Sequence, residues 1–203
     1  MGRRGLLMAG VGLALAACGR PEKLTASRTP RLDMKRLDAE VGAIAARAAP
    51  GVLGFGLMNL ESGEFWVRLG DRTFPMMSVF KLPLGAAALA EVDAARLDLH
   101  EVLALSEKDL SPPLSPIAQA WPARISYTVD ELLVAAVRDS DNTAADVLMK
   151  RIGGPGAVTA WLDLKKVENL RVHRYARQLL PEQTGAQSFR AEWRGLAWRK
   201  AVL

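Results

Sequence analysis

The sequence predicts an α+β fold, in which one helix and a β-hairpin precede a mainly helical region. Apolar residues at helical spacing over 33–49 predict an amphipathic helix that ends at Pro50-Gly51. Two segments, 52–60 and 64–69, have the composition of strands. Glu61-Ser62-Gly63 between them has the composition of a turn, so the pair predicts a hairpin.

The region after the hairpin contains several helix start and stop signals. They predict one helix over 79–91, with Pro83 in its first turn, and a second from the Thr128-x-x-Glu131 capping box to about Arg138. A third helix is predicted over 143–151. Gly153-Gly154 ends it, and Pro155 begins the fourth. No internal repeat is visible in the sequence. We expect one globular domain of about 170 residues after residue 32, which is long enough to bury a hydrophobic core.

Two short patterns point to chemistry. The chain has Ser-x-x-Lys from Ser78 to Lys81 and, further on, the tripeptide Ser140-Asp141-Asn142. Ser-x-x-Lys places a hydroxyl and an amine one helical turn apart on one face. A serine hydroxyl becomes an effective nucleophile when a neighbouring base takes its proton. The tripeptide adds a second hydroxyl for proton relay and an amide that can hold a substrate, as a serine acyl-transfer site requires.

The apolar surroundings of Lys81 bear on its protonation. Phe74-Pro75-Met76-Met77 precedes the serine, and Leu82 and Leu84 follow the lysine. A lysine in such a stretch is predicted to be partly buried, and burial lowers the pKa of an amine towards that of a useful base. The alternative is that Ser78 is a helix N-cap and Lys81 a solvated lysine. We favour the functional interpretation because both patterns occur together in order.

Three segments resemble the class A β-lactamases. They are 77–84, 140–148 and 152–162, within a resemblance that extends over roughly residues 35 to 195. The resemblance implies a β-lactamase/transpeptidase-like α/β sandwich, with a helical lobe and an antiparallel sheet. It also implies a hydrolase that opens β-lactam rings without a cofactor or a metal.

The resemblance also implies a role for each residue of the two patterns. Ser78 would be the acylated nucleophile, and Lys81 its base or proton-relay partner. Ser140 would pass a proton to the leaving lactam nitrogen. Asn142 would bind the amide of the substrate's side chain. The backbone N–H groups of Ser78 and of a residue on a later strand would form the oxyanion hole.

The chain departs from the family at the glutamate that activates the deacylating water. The family's loop reads approximately L-D-R-x-E-P-E-L-N, and the best match is Val172–Leu180, in which Ala176 takes the glutamate position and Leu180 the asparagine position. Glu168 and Glu182 are out of register, and we interpret them as surface charges. Slow or absent deacylation is therefore expected, and Ala176→Glu should raise turnover if this register is right.

Further departures concern the sheet and the pocket rim. The family's K-T-G motif does not occur, Gln183-Thr184-Gly185 is interpreted as a turn, and Leu114 stands where an aromatic rim residue is usual. We expect residues 33–203 to be the N-terminal two-thirds of a truncated catalytic domain. Its incomplete sheet would have a bare edge, which predicts a monomer that is unstable or prone to aggregation unless a partner strand covers the edge.

The N-terminus resembles a bacterial lipoprotein signal. Arg3-Arg4 is followed by a short apolar stretch, and Leu15-Ala16-Ala17-Cys18-Gly19 reads as a lipobox. We expect residues 1–17 to be a signal peptide, Cys18 to be lipidated and 18–32 to be a tether. The alternative is a plain signal peptide that contains a cysteine. Export by the twin-arginine or the general route stays open, and Gly19 favours the outer membrane on the periplasmic side.

Composition excludes several classes of protein. One cysteine excludes an intramolecular disulfide, and two histidines without cysteine partners argue against a structural zinc site. Removal of residues 1–17 lowers the net charge from +5 to +3, because Arg3 and Arg4 are lost. The remaining basic residues are scattered and no nucleic-acid-binding motif occurs, so we expect no nucleic-acid partner.

Four functional hypotheses follow. The first is an impaired, lipid-anchored serine hydrolase of β-lactams. The second is a non-hydrolytic envelope lipoprotein that binds or traps β-lactams or peptidoglycan peptides. A penicillin-binding peptidase also uses Ser-x-x-Lys, but the Gly153-Gly154-Pro155 context favours the lactamase branch. The fourth is an inactive gene fragment.

Overall fold

The computed structural model describes residues 31–183. It is helix-rich with two small antiparallel sheets, so the α+β prediction is confirmed. The chain divides between Phe74 and Pro75 into two compact units. Within 31–183, no helix is both long and apolar enough to cross a membrane.

Within the described part of the first unit, residues 31–74, the first helix is α1, Met34–Arg47, close to the predicted 33–49. The Asp33 carboxylate caps it by accepting a hydrogen bond from the Arg36 N–H at 3.0 Å. Strands β1, Phe55–Met58, and β2, Phe65–Arg68, form the predicted antiparallel hairpin, with Phe55 opposite Arg68. Both strands are shorter than predicted.

Polar contacts stabilise the first unit. The Trp66 indole donates to Asp38 Oδ1 at 3.0 Å, which joins β2 to α1. Arg31 pairs with Glu64 at 3.1 Å beside the hairpin turn. By contrast, apolar side chains are exposed along the whole hairpin, namely Phe55, Leu57, Met58, Leu60, Phe65, Val67 and Leu69. Residues on both faces of the strands are therefore open to solvent.

The second unit begins with a single 3₁₀ turn, Met77–Phe80, which continues directly into helix α2, Lys81–Asp93. The helices that follow are α3 Pro116–Ala120, α4 Val129–Val137, α5 Asn142–Arg151, α6 Pro155–Leu164 and α7 Ala176–Gln183. The predicted start and stop signals at Thr128, Gly153-Gly154 and Pro155 are confirmed.

A second sheet was not predicted. Strand β3, Val102–Ala104, pairs antiparallel with β4, Ser126–Thr128, so that Val102 lies opposite Thr128. Helices α3 and α7 were not predicted either. Strands β3 and β4 have three residues each, which is too short for an alternating pattern to be recognised.

The core of the second unit lies between α2, α4, α5 and α6. Its apolar side chains include Leu84, Val129, Leu132, Leu148, Met149 and Val158, all with no measurable exposure. Helices α2 and α4 approach closely at Gly85, where an added Cβ would lie 2.7 Å from a Val137 methyl carbon. This packing fixes α2, whose first residue, Lys81, is the last residue of the predicted nucleophile pattern.

Candidate active site

The Ser-x-x-Lys pattern spans the junction between the 3₁₀ turn and α2. Ser78 lies in the turn and is exposed, whereas Lys81 is the first residue of α2 and only 3 % exposed. Met76 precedes the 3₁₀ turn and Phe80 precedes α2 as their N-caps, so Ser78 is not a helix N-cap and the purely structural alternative for it is removed. The burial predicted for Lys81 is confirmed.

The Lys81 amine has three oxygen acceptors. Its Nζ donates to the Ser140 carbonyl oxygen at 2.6 Å, to Ser140 Oγ at 3.0 Å and to Asn142 Oδ1 at 2.7 Å. An ammonium has three hydrogens, so these contacts can satisfy it completely. The two predicted patterns therefore meet at this amine.

Ser140 links the amine to the nucleophile. Its hydroxyl donates to Ser78 Oγ at 3.1 Å, while the same oxygen accepts from Lys81 Nζ. The backbone of Ser140 has φ 58°, a left-handed conformation that is uncommon for a residue other than glycine. A continuous path for a proton thus runs from Ser78 Oγ through Ser140 Oγ to Lys81 Nζ.

The Asn142 side chain is a buried bridge. While Oδ1 accepts from Lys81, Nδ2 donates to the Pro113 carbonyl oxygen at 2.7 Å. The Asn142 backbone N–H also donates to the Leu114 carbonyl at 3.3 Å. Asn142 therefore holds the lysine and the segment 113–114 together. Its binding of a substrate amide stays a prediction.

The surroundings of Lys81 make it a weaker base than a solvated lysine. Its pKa is lowered from 10.5 to about 8, mainly because burial disfavours the charged amine. The negative charges of Asp141 and Asp146 act in the opposite direction. A lysine with this pKa can both accept and release a proton near neutral pH.

Asp141, the middle residue of the tripeptide, is buried and binds α3 and α5 through its carboxylate. The carboxylate accepts from Ser115 Oγ at 2.8 Å, from the Ile117 N–H at 2.9 Å and from the Ala144 N–H at 2.9 Å. The last contact makes Asp141 the N-cap of α5. This capping role was not predicted, although an aspartate directly before a helix is a recognisable signal.

The other candidate carboxylates are surface groups. Glu182 is exposed and paired with Arg174, and Glu168 is exposed in the segment after α6. Ala176, at the glutamate register, is buried and is the first residue of α7. Leu180 lies in the same helix, and Leu114 at the expected rim is 68 % exposed with φ 60°.

Several predictions fall on residues outside 31–183. They are the signal peptide, the lipidation of Cys18, the greater part of the tether and the turn at Thr184-Gly185; Gln183, which the same turn included, ends α7. Among the described residues, no group of three His, Cys, Asp or Glu side chains is arranged to hold a metal ion.

Comparison with known proteins gives consistent matches. Residues 36–198 match the β-lactamase enzyme family. A β-lactamase of Rhodobacter capsulatus is 39 % identical over 107 residues, which are 53 % of this chain and 36 % of the relative. The β-lactamase VEB-1 of Pseudomonas aeruginosa is 29 % identical over 128 residues, which are 63 % of this chain and 43 % of the relative.

Solved structures agree. An ancestral (GNCA) class A β-lactamase has a TM-score of 0.65 and 35 % identity, covering 70 % of this chain and 54 % of that one. A β-lactamase from Burkholderia vietnamiensis has a TM-score of 0.63 and 34 % identity, covering 68 % and 51 %. The predicted fold is thus confirmed, and the chain spans about half or less of the length of these relatives.

Proposed function

We propose that this chain, which belongs to the β-lactamase enzyme family, is a serine hydrolase of β-lactams that acts through an acyl-enzyme on Ser78. The observation that carries the proposal is the chain of contacts from Ser78 Oγ to Ser140 Oγ and on to Lys81 Nζ. It supplies a nucleophile, a relay and a base in one connected path.

Acylation follows from this path. When Lys81 is neutral, the Ser78 proton passes to Ser140 Oγ as the Ser140 proton passes to Lys81 Nζ. With a pKa of about 8, roughly a tenth of Lys81 is neutral at pH 7. Ser78 Oγ then bonds to the lactam carbonyl carbon, the C–N bond breaks, and the nitrogen takes a proton from Ser140 as Lys81 returns one.

Deacylation is proposed to be the slow step. Water must add to the ester carbonyl and lose a proton to a base, after which Ser78 leaves with a proton restored. The glutamate register falls on Ala176, and Glu182 is occupied by Arg174. This arrangement also favours the second candidate function, a protein that traps β-lactams as a lasting Ser78 ester.

The proposal is tested by the intact mass of the chain during incubation with benzylpenicillin. A Ser78-dependent increase equal to the mass of the drug is expected, with Ser78→Ala as the unreactive control. The lifetime of the adduct separates a hydrolase from a trap. Absence of any adduct on folded protein would reject both functions.

The glutamate register has its own test. Ala176→Glu should shorten the lifetime of the adduct if position 176 faces the ester. The Ala176 N–H donates to Asp146, so a carboxylate introduced there has a like charge nearby that raises its pKa. Ala176→Gln is the matched control, because it adds similar volume without a base. An equal lifetime in both variants would reject the register.

We also propose that the protein is a periplasmic lipoprotein anchored through Cys18. The support is the lipobox from Leu15 to Gly19 and the charged, apolar stretch before it. Cells fed radiolabelled palmitate should yield a labelled protein, and Cys18→Ala should remove the label. Unchanged labelling in Cys18→Ala would reject this anchor.

A further inference from the structure

Asp146 is a buried carboxylate that the proposed reaction does not use. It lies on α5 four residues after Asn142, so both side chains emerge from the same face of that helix. The residue is 5 % exposed. Its oxygens accept from Ser111 Oγ at 2.6 Å, from the Ala176 N–H at 2.7 Å and from the Arg177 N–H at 3.0 Å.

Two of these donors begin α7. The first N–H groups of a helix have no partner within the helix, and a buried one without an acceptor is costly. The Asp146 carboxylate supplies acceptors for the N–H groups of Ala176 and Arg177. The start of α7 is therefore attached to α5.

The third donor belongs to the segment Ser111–Leu114. Besides its hydroxyl contact with Asp146, Ser111 donates its N–H to Thr143 Oγ1 at 3.0 Å. Two residues later, the Pro113 carbonyl accepts from Asn142 Nδ2. The segment that orients the Asn142 amide is thus fastened to α5 at both of its ends.

We propose that Asp146 is a positioning residue, which fixes the segment Ser111–Leu114 and the start of α7 against α5 and thereby holds Asn142 Oδ1 on the Lys81 amine. This inference rests on the proposed function in one respect, because one of the three measured quantities that test it is the rate of acylation. A neutral residue that merely filled the space would not provide three acceptor contacts.

The charge of Asp146 gives a second line of support. Burial raises the pKa of Asp146 above its ordinary value. The hydrogen bonds donated by Ser111, Arg177 and Ala176, together with the positive charge of Arg177, oppose that shift. Each carboxylate oxygen receives a backbone N–H, which can only donate, and this suits the ionised form. Burial lowers the pKa of Lys81, and the negative charges of Asp141 and Asp146 partly oppose that shift.

The experiment compares Asp146→Asn with Ser111→Ala in the full chain. Asp146→Asn removes the charge and one acceptor at nearly constant volume, whereas Ser111→Ala removes one contact and leaves the charge. Three quantities are measured: the Lys81 pKa by NMR of ¹³C-labelled lysine, amide hydrogen exchange, and the rate of acylation by benzylpenicillin.

In Asp146→Asn, the Lys81 pKa should fall, and the amides of Ala176 and Arg177 should exchange about tenfold faster. Acylation should be slower than in the parent. In Ser111→Ala, the Lys81 pKa and the exchange rates of the α7 amides should be unchanged. The backbone N–H of Asn142, which donates to the Leu114 carbonyl, should exchange faster. A purely structural residue would not change the lysine titration.

The inference is overturned if Asp146→Asn leaves both the Lys81 titration and the α7 amides as in the parent. If Asp146→Asn does not fold, Ser111→Ala decides, and unchanged exchange at Asn142 overturns the inference. A parent chain that is never acylated would reject the proposed function, while the titration and the exchange still decide the role of Asp146.

Discussion

Residues 31–74 and 75–183 both contain many apolar side chains, yet only the second region buries them extensively. Among the described residues of the first region, Val41 is the one buried apolar side chain, at 7 % exposure, and Phe65 on the hairpin is 62 % exposed. In the second region, Leu84, Leu132 and Leu148 are completely buried.

The difference shows what positions the site. An isolated two-stranded hairpin is marginally stable, and the first region depends on α1 and a few surface contacts such as Trp66 with Asp38. Every described residue of the Ser78 site lies in the packed region instead. The contacts of Lys81 are therefore expected to persist even where the hairpin opens.

The largest expected effect separates a buried lysine from an exposed one. Lys81→Met keeps much of the volume but removes the base, so acylation by benzylpenicillin should slow by about 10² to 10⁴-fold. Lys35→Met changes an exposed lysine on α1 and should leave the rate within twofold, by an order-of-magnitude expectation for a surface residue. Stopped-flow absorbance of the lactam measures both. Equal rates for Lys81→Met and the parent would exclude Lys81 as the base.

The next effect concerns stability. Leu148→Ala leaves a cavity in the core and should lower the free energy of unfolding by about 2 to 5 kcal/mol. Phe65→Ala, on the exposed hairpin, should change it by no more than about 0.5 kcal/mol. Urea unfolding followed by circular dichroism gives both values. A large loss in Phe65→Ala would show that something covers the hairpin in solution and would break the comparison.

The pH dependence of acylation should reflect the buried region alone. The base must be neutral, and the neutral fraction of Lys81 increases as pH rises through its pKa of about 8. The rate should thus rise about tenfold per pH unit well below this value and level off above it. Rates measured from pH 6 to 9.5 in the parent and in Lys35→Met should coincide. A flat profile in the parent would contradict a base with this pKa.

The smallest effects compare two helix caps. The Thr128 Oγ1 accepts from the Glu131 N–H at 3.1 Å in the capping box of α4. Thr128→Ala removes this box and should lower the free energy of unfolding by about 1 kcal/mol. Asp33→Ala removes the cap of α1 and should speed amide exchange in Met34–Arg47 alone. Exchange resolved by peptide distinguishes these outcomes. Faster exchange in α4 of Asp33→Ala would show that the two regions unfold together.

Local signals predicted much of the fold. Pro50-Gly51, the Thr128 box and the Gly153–Pro155 junction each act through the backbone within a few residues, so the helices they bound were predicted closely. Strands β3 and β4 depend on pairing between distant residues, which no local pattern reveals. Helix α7 contains Pro181 and matched a loop of the family, so its helical start at Ala176 was not foreseen.

The site was predictable to the extent that its residues form short patterns. Ser78, Lys81, Ser140 and Asn142 were found from the sequence, and their contacts agree with a proton path, although their roles stay predictions. Asp146 and Ser115 were missed. A single polar residue in a helix or loop has no meaning in isolation, because its partners come from distant segments.

The left-handed backbone of Ser140 has a consequence for how this chain can change. A serine in that conformation costs about 1 kcal/mol or more, a strain from which glycine is almost free. Ser140→Gly would therefore relax the turn but delete the hydroxyl between Ser78 and Lys81. Selection for stability would favour glycine at this position, whereas selection for activity would favour serine, which is the residue present.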